Sequence, residues 1–276
     1  MNLIIQGADI ATPDLKHVAK LAGASAIEAI TPSAFRLRDA AQHAEIAPFC
    51  AESRLDFAFV PAERRLADLR LAVMGMDSTL ITIECIDEIA DMRGLKPQVA
   101  AITAAATRGE LDYPQSLCER VALLKGLDAG ALKRVYDERV RLSPGAEIML
   151  ARFRRLGIKT LLVSGGFAFF TDRIRERLQL DYSRSNALEI DNGKLTGKVI
   201  GEIVDAGVKQ QASIALRDEL GIGKDQIIGI GDGANDLKFM GEAGVSIAYR
   251  AKPVVRGKAT HALSHVGLDG VLNLFN

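Results

Sequence analysis

The chain has no surplus of either charge: 35 Lys and Arg balance 35 Asp and Glu. No overall field draws it to nucleic acid or to an anionic membrane surface, so neither is expected as a partner. Cysteine is scarce and odd in number. Cys50, Cys85 and Cys118 are scattered and form no Cys-x-x-Cys pair. That argues against a disulfide framework and for reduced thiols in a cytoplasmic protein. Long hydrophobic runs are missing too. The longest apolar stretch lies around residues 161–170 and is broken by Ser164, Gly165 and Gly166. It is far too short to span a bilayer. The opening MNLIIQGADI has no basic region before its short apolar run, so no signal peptide is expected. What remains is an ordinary globular balance, 48% apolar and 25% charged over 276 residues, enough for one large α/β domain or for two domains.

Residues 1–66 alternate short elements. Strand patterns cover 2–6, 26–30, 34–37 and 56–60, with helical patterns at 13–21 and 39–53. The order β-α-β-β-α-β predicts a small ferredoxin-like α+β module. The charged segment 61–68 is expected to link it to the rest, 67–276. There, a buried strand at 71–74 leads into a polar loop, and a mostly helical insertion follows over about 82–141. Ser143 and Pro144 predict a helix start, as N-cap and first helical residue, and Gly157 its end. A strand at 158–163 stops at Ser164-Gly165-Gly166. Asn192-Gly193 predicts a hairpin between 188–190 and 194–200. A helix at about 209–220, a strand at 226–230 and a last strand at 245–248 complete the pattern. Alternating strands and helices predict a doubly wound parallel sheet with helices on both faces.

Three of these strands run into loops that can carry chemistry. Gly75-Met76-Asp77-Ser78-Thr79-Leu80 holds a carboxylate able to act as acid, base or metal ligand, beside two hydroxyls. Ser164-Gly165-Gly166 suits an anion, because glycines let backbone N–H groups approach a phosphate at the start of a helix. Gly231-Asp232-Gly233-Ala234-Asn235-Asp236 sets two carboxylates four apart on a glycine turn, hard oxygen donors that suit Mg2+. Lys209 can neutralise a phosphate, Arg120 can hold a carboxylate bidentately, and Glu84 can hold an ammonium. Singly, each has a plainer reading. Asp77 suits an Asx turn, Asp232 and Asp236 suit a helix N-terminus, and Glu84, Arg120 and Lys209 suit a solvated surface.

Taken in order, the strings GMDSTLITIECIDEIAD (75–91), RGELDY (108–113), RVALLKGL (120–127), LLVSGGF (161–167), VDAGVK (204–209) and IGDGANDLKFM (230–240) resemble the haloacid-dehalogenase-like (HAD) phosphatases, and among them the phosphoserine phosphatases. The resemblance covers about residues 70–276. More faintly, the N-terminal module resembles the ACT-like domains ahead of some members, and by fold analogy it allows a homodimer. The resemblance implies a HAD-like fold with a helical cap at about 82–141. It implies Mg2+-dependent hydrolysis of O-phosphoserine, ending serine biosynthesis. Position 75 is then that of the nucleophilic Asp, and Asp77 the acid and base, whose carbonyl also ligates Mg2+. Ser164, the Gly165 N–H and Lys209 bind phosphate. Asp232 ligates the metal, with Asn235 and Asp236 supporting metal and phosphate. Glu84 and Arg120 on the cap read the substrate's ammonium and carboxylate.

Two positions depart from that pattern. Thr107 stands where the family usually has Met, which bears on the shape of the pocket. Gly75 stands where the nucleophile belongs, and glycine supplies neither a nucleophile nor a charge. A register slipped by two would make Asp77 the nucleophile and Thr79 its +2 partner. It would also put Ile81 where Thr79 now fits, and it would break the spacing to Glu84 and Arg120. The implied activity is therefore impaired in this chain. The alternatives are a non-catalytic relative that binds phosphoserine or serine, and a phosphatase for another small phosphomonoester.

Overall fold

A computed structural model describes all 276 residues. The chain divides into two compact units, Met1–Ala72 with Ser143–Lys159 and Ile222–Asn276, and Val73–Leu142 with Thr160–Gly221.

In the first unit, β1 (Asn2–Gln6), β2 (Ala26–Thr31), β3 (Ala34–Arg38) and β4 (Asp56–Val60) form an antiparallel sheet in the order β2-β3-β1-β4. Helices α1 (Thr12–Leu21) and α2 (Ile46–Glu52) pack on it. The wholly buried run of β1 is one of its two inner strands, and Leu15, Val18, Ile46 and Cys50 close the core against Leu3, Ile5 and Leu37. The α2 helix starts at Ile46, not at 39 as the pattern predicted. Asp39 has φ 55°, and Ala40 and Ala41 donate to the carbonyls of Met1 and Ala22, so the backbone there is bonded away from the helix.

The C-terminal segment is stitched to this small sheet. The Asp56 carboxylate is 5% exposed and accepts the N–H groups of Ser264, His265 and Val266 at 2.7, 2.8 and 3.1 Å. Gln6 donates to the Gly270 carbonyl at 3.2 Å and accepts from Asn273 at 2.8 Å.

A second sheet contains β5 (Leu71–Met74), β6 (Lys159–Phe167), β7 (Tyr182–Asp191), β8 (Lys194–Ile200), β9 (Ile227–Gly231), β10 (Val245–Tyr249) and β11 (His261–Leu263), in the order β11-β10-β9-β5-β6-β7-β8. Pairings β9–β10, β10–β11 and β6–β7 are parallel, and β7–β8 is an antiparallel hairpin. The fold is that of an α/β protein with a parallel sheet, plus a small antiparallel module. Asn192 and Gly193 take φ 48° and 75°, the paired left-handed turn that Asn-Gly predicts for a two-residue hairpin.

In the second unit the helical insertion is α3 (Cys85–Asp91), α4 (Lys96–Thr107), α5 (Tyr113–Ala122) and α6 (Gly130–Glu138). Its two ends are held side by side. Ile81 bridges to Leu142, and the Thr82 N–H donates to the Arg141 carbonyl at 2.9 Å. In the first unit, α7 (Ala146–Arg155) begins two residues later than Ser143-Pro144 predicts. Gly145 has φ 77°, a left-handed bend before the helix. A Cβ on Gly145 would lie 2.0 Å from an Asp269 oxygen, so the turn belongs to that close approach. Gly157, with φ 70°, follows the end of α7 as expected. After β6 come α8 (Ala168–Leu178) and α9 (Ala206–Glu219), and after β9 the four-residue α10 (Leu237–Met240).

Candidate active site

The buried run of β5 delivers the chain to Gly75, whose φ of −69° and ψ of 160° are ordinary extended backbone. A wide turn follows. The Ile81 N–H reaches back to the Met76 carbonyl at 3.0 Å, and Ser78 takes φ 57°. Met76, Thr79 and Leu80 are buried beneath this turn, which leaves Asp77 and Ser78 at its open side. Asp77 Oδ1 accepts the Cys85 N–H at 3.2 Å, and Ser78 Oγ donates to Glu84 Oε1 at 2.6 Å. Burial, and then the Glu84 charge, push the Asp77 carboxyl up to about 7, against the Cys85 hydrogen bonds and the Lys209 charge. The same surroundings, burial first, hold the Cys85 thiol well above its ordinary range, so it is protonated and inert.

The second loop differs from expectation in one respect: β6 continues through Ser164-Gly165-Gly166 to Phe167, with its register shifting between Val163 and Phe167. Ser164 is 2% exposed, and its Oγ accepts the Gly166 N–H at 2.9 Å. A Cβ at Gly166 would lie 2.8 Å from Asp77 Oδ2, so the missing side chain lets the carboxylate rest against this turn. A Cβ at Gly165 would lie 2.1 Å from Tyr113 Oη.

Two residues of this cluster have no role that their sequence motifs assign. Tyr113, at the start of α5, donates its hydroxyl to the Gly165 carbonyl at 3.1 Å. Asn186 Nδ2 donates to the same carbonyl at 2.8 Å, while its Oδ1 accepts the Val204 N–H at 2.8 Å. Asn186 is 1% exposed. A buried asparagine within a strand needs partners for both ends of its amide, and that was the available signal. Tyr113 closes the RGELDY string but carries no distinguishing local pattern.

Lys209 is buried, 3% exposed, one turn into α9 behind the Asp205 N-cap, which accepts the Val208 N–H at 2.8 Å. Its ammonium acts on both Asp77 and Tyr113. A solvated surface position is thereby ruled out for it. Glu84 is exposed beside Ser78, and Arg120 is half-buried on α5, where its Nε donates to the Ser116 carbonyl at 3.1 Å. Arg120 acts electrostatically on Tyr113 and Asp87. The exposed Thr107 spends its hydroxyl on the Thr103 carbonyl of its own helix at 2.9 Å. The second unit thus gathers the Asp77 carboxylate, the hydroxyls of Ser78, Ser164 and Tyr113, a glycine turn and a buried cation.

The third loop closes β9 in the first unit. Asp236 is 3% exposed, and its Oδ2 accepts the N–H groups of Asp232 and Gly233 at 3.3 and 3.4 Å. A Cβ at Gly231 would lie 2.7 Å from the Asp236 side chain, so glycine is required for the turn to close. Asp232 is half-buried, with its carbonyl held by the Lys252 N–H at 3.4 Å, and Asn235 is exposed. The turn opens a single tight helical turn, Ala234–Asp236, and the short α10 instead of a full helix. Its donors are hard oxygens, the chemistry Mg2+ prefers.

The haloacid dehalogenase-like hydrolase model matches residues 72–241, which span all three loops. The chain belongs to that family. Residues 3–46 match a domain of unknown function, DUF4072. A phosphoserine phosphatase from Polaromonas is 52% identical over 215 residues, covering 76% of this chain and 91% of that protein. Among solved structures, an unliganded probable phosphoserine phosphatase from Vibrio cholerae is 35% identical with a TM-score of 0.86, covering 99% of this chain and 85% of that one. A HAD family hydrolase from Salmonella enterica serovar Typhi is 32% identical with a TM-score of 0.89, covering 100% and 98%. No helix of this HAD hydrolase is long and apolar enough to cross a membrane.

Proposed function

We propose that this chain is built to hydrolyse O-phospho-L-serine to serine and phosphate in a reducing cytoplasm, and that Gly75 impairs it. The observation that carries the reading is the contact at Gly166. The Asp77 carboxylate lies directly against the Ser164-Gly165-Gly166 turn, and a buried lysine acts on that carboxylate. A phosphate on the turn would meet hydroxyl, N–H and ammonium donors, with a carboxylate within reach of the ester oxygen. The names of the relatives add the substrate.

Position 75 is that of the nucleophile by its place in the motif, two residues before Asp77. With glycine there, no aspartyl phosphate forms, and the two-step route is closed. Asp77 retains the acid's task, protonating the leaving serine oxygen. Ser164, the Gly165 N–H and Lys209 hold the phosphate, Asn235 supports it, and Glu84 and Arg120 read the ammonium and carboxylate. By the motif match, Mg2+ would be held by the Asp77 carbonyl, Asp232 and Asp236. It would supply positive charge to the phosphoryl oxygens, with one carboxylate fewer than the motif provides. The glycine itself supports a second reading, a phosphoserine-binding relative, because removing a negative charge leaves the anion donors in place.

Phosphate release from L-phosphoserine with Mg2+ is the test, comparing this chain with Gly75→Asp. The extended backbone at Gly75 accepts an aspartate without a left-handed φ. The substitution is expected to raise turnover by about a thousandfold or more. Equal turnover in both proteins would remove position 75 from the mechanism. Calorimetric binding of phosphoserine by a Gly75→Asp protein that stays inactive would favour the binding reading.

A further inference from the structure

Away from these loops, the first unit contains a cavity of about 720 Å3 walled by the N-terminal module on one side and by the segments around β10 and β11 on the other. Its volume is in the range of cavities that take small organic ligands, about 300–1,000 Å3. Its charged lining is lopsided. Arg54, Arg250 and Arg256 contribute three guanidiniums, and Asp9 one carboxylate. Among the arginines and the aspartate, three positive charges less one negative leave a net of two.

No carboxylate forms an ion pair with these three arginines. The nearby Asp56 has its oxygens taken up by the N–H groups of residues 264–266. The Arg250 guanidinium lies 5.4 Å from the centre of the Tyr249 ring, and none of the three arginines is closed on by a carboxylate. Two of the three also sit on unfavourable backbone. Arg54 has φ 54° and Arg250 φ 46°, the left-handed region where Gly or Asn is the ordinary choice. Long cationic side chains at both bends, facing one cavity from segments almost 200 residues apart in sequence, are what an anion site requires.

We infer that this cavity binds a small hydroxylated organic phosphate. The dianionic phosphate sits among Arg54, Arg250 and Arg256, and a hydroxyl of the ligand donates to Asp9. A phosphate monoester matches the net charge of two, which a single carboxylate does not, and planar guanidiniums pair its oxygens bidentately.

The test uses the full chain with Ser164→Ala and Lys209→Met, which strip the donors of the phosphate loop, and calorimetry with glycerol 3-phosphate and inorganic phosphate as probes. Both probes are expected to bind this background with one site. Adding Arg54→Gln and Arg250→Asn, the latter tolerated at left-handed φ, should weaken both at least tenfold, with an unchanged melting temperature. Asp9→Asn should weaken glycerol 3-phosphate and leave inorganic phosphate unaffected. No binding by the loop-stripped background, or equal binding after the arginine changes, overturns the assignment. Should either multiple variant melt early, Arg256→Gln in the otherwise unmodified chain decides: a stoichiometry falling from two to one supports the site, and an unaltered titration refutes it.

Discussion

Glycine serves different ends at different positions of this molecule. At Gly165 and Gly166 the absent Cβ is structural, because Tyr113 and Asp77 occupy the space it would fill. At Gly75 the backbone is extended, with no left-handed φ to call for glycine. The sequence alone placed all three in motifs, but only the neighbours show that packing requires glycine at 165 and 166. Gly165→Ala is therefore expected to push Tyr113 off the Gly165 carbonyl. The overpacking should cost about 1–3 kcal/mol, read as a lower urea midpoint. Phosphoserine binding measured by calorimetry should weaken in parallel. Lys209 makes the same point about charge. As a letter it is one lysine among many, whereas in the fold it is 3% exposed and acts on Asp77. Ammonium groups are rarely buried without a charged or polar partner, and here the Asp77 carboxylate supplies a charge.

Among the elements, those encoded by short contiguous patterns were the most legible. The all-buried β1, β8 and β9 fall within a residue of expectation, and the Asn-Gly hairpin is where it was expected, although β7 begins at Tyr182, six residues before the expected 188. Asn192-Gly193 encodes its turn chemically, since both residues tolerate positive φ. A Cβ on Gly193 would meet nothing within 4 Å, so the cost of Gly193→Ala is purely conformational. It should lower stability by about 1 kcal/mol, checked by urea denaturation, with little change in ligand binding. Helix starts were less legible. Ser143-Pro144 is a good local start signal, but the Asp269 loop presses against Gly145 and moves the first turn of α7. The start of α2 is displaced likewise by backbone bonds to Met1 and Ala22, partners that no local window contains.

For the whole molecule, the decisive joints are polar and long-range. Asp56 binds residues 264–266, and Arg64 Nη1 lies 2.9 Å from His261 Nε2. A guanidinium only donates, so His261 accepts as a neutral imidazole with its proton on Nδ1. Burial, and then the Arg64 charge, hold the His261 pKa down, from 6.5 to about 4. The sign follows from which state takes the proton. Between pH 6.5 and about 4 the unfolded chain protonates this histidine and the folded chain does not. The contribution is thus fully present above pH 6.5 and is lost as pH falls towards 4, by up to about 3 kcal/mol. Urea stability of the chain and of His261→Gln should be compared at pH 7.5 and 4.5. The parent should lose more stability than the variant on acidification, and equal losses would show that His261 does not titrate as described.

The sequence by itself determined the strand-rich N-terminal module, the alternation that makes a parallel sheet, and the order of the loop motifs. Each is a pattern of neighbouring residues, and local sterics and periodicity act over only a few positions. Tertiary structure decided that Lys209 is buried, that Tyr113 and Asn186 meet at one carbonyl, and that three arginines share a cavity. Burial and electrostatic surroundings depend on whatever distant segments pack there, and no stretch of sequence contains its own neighbours.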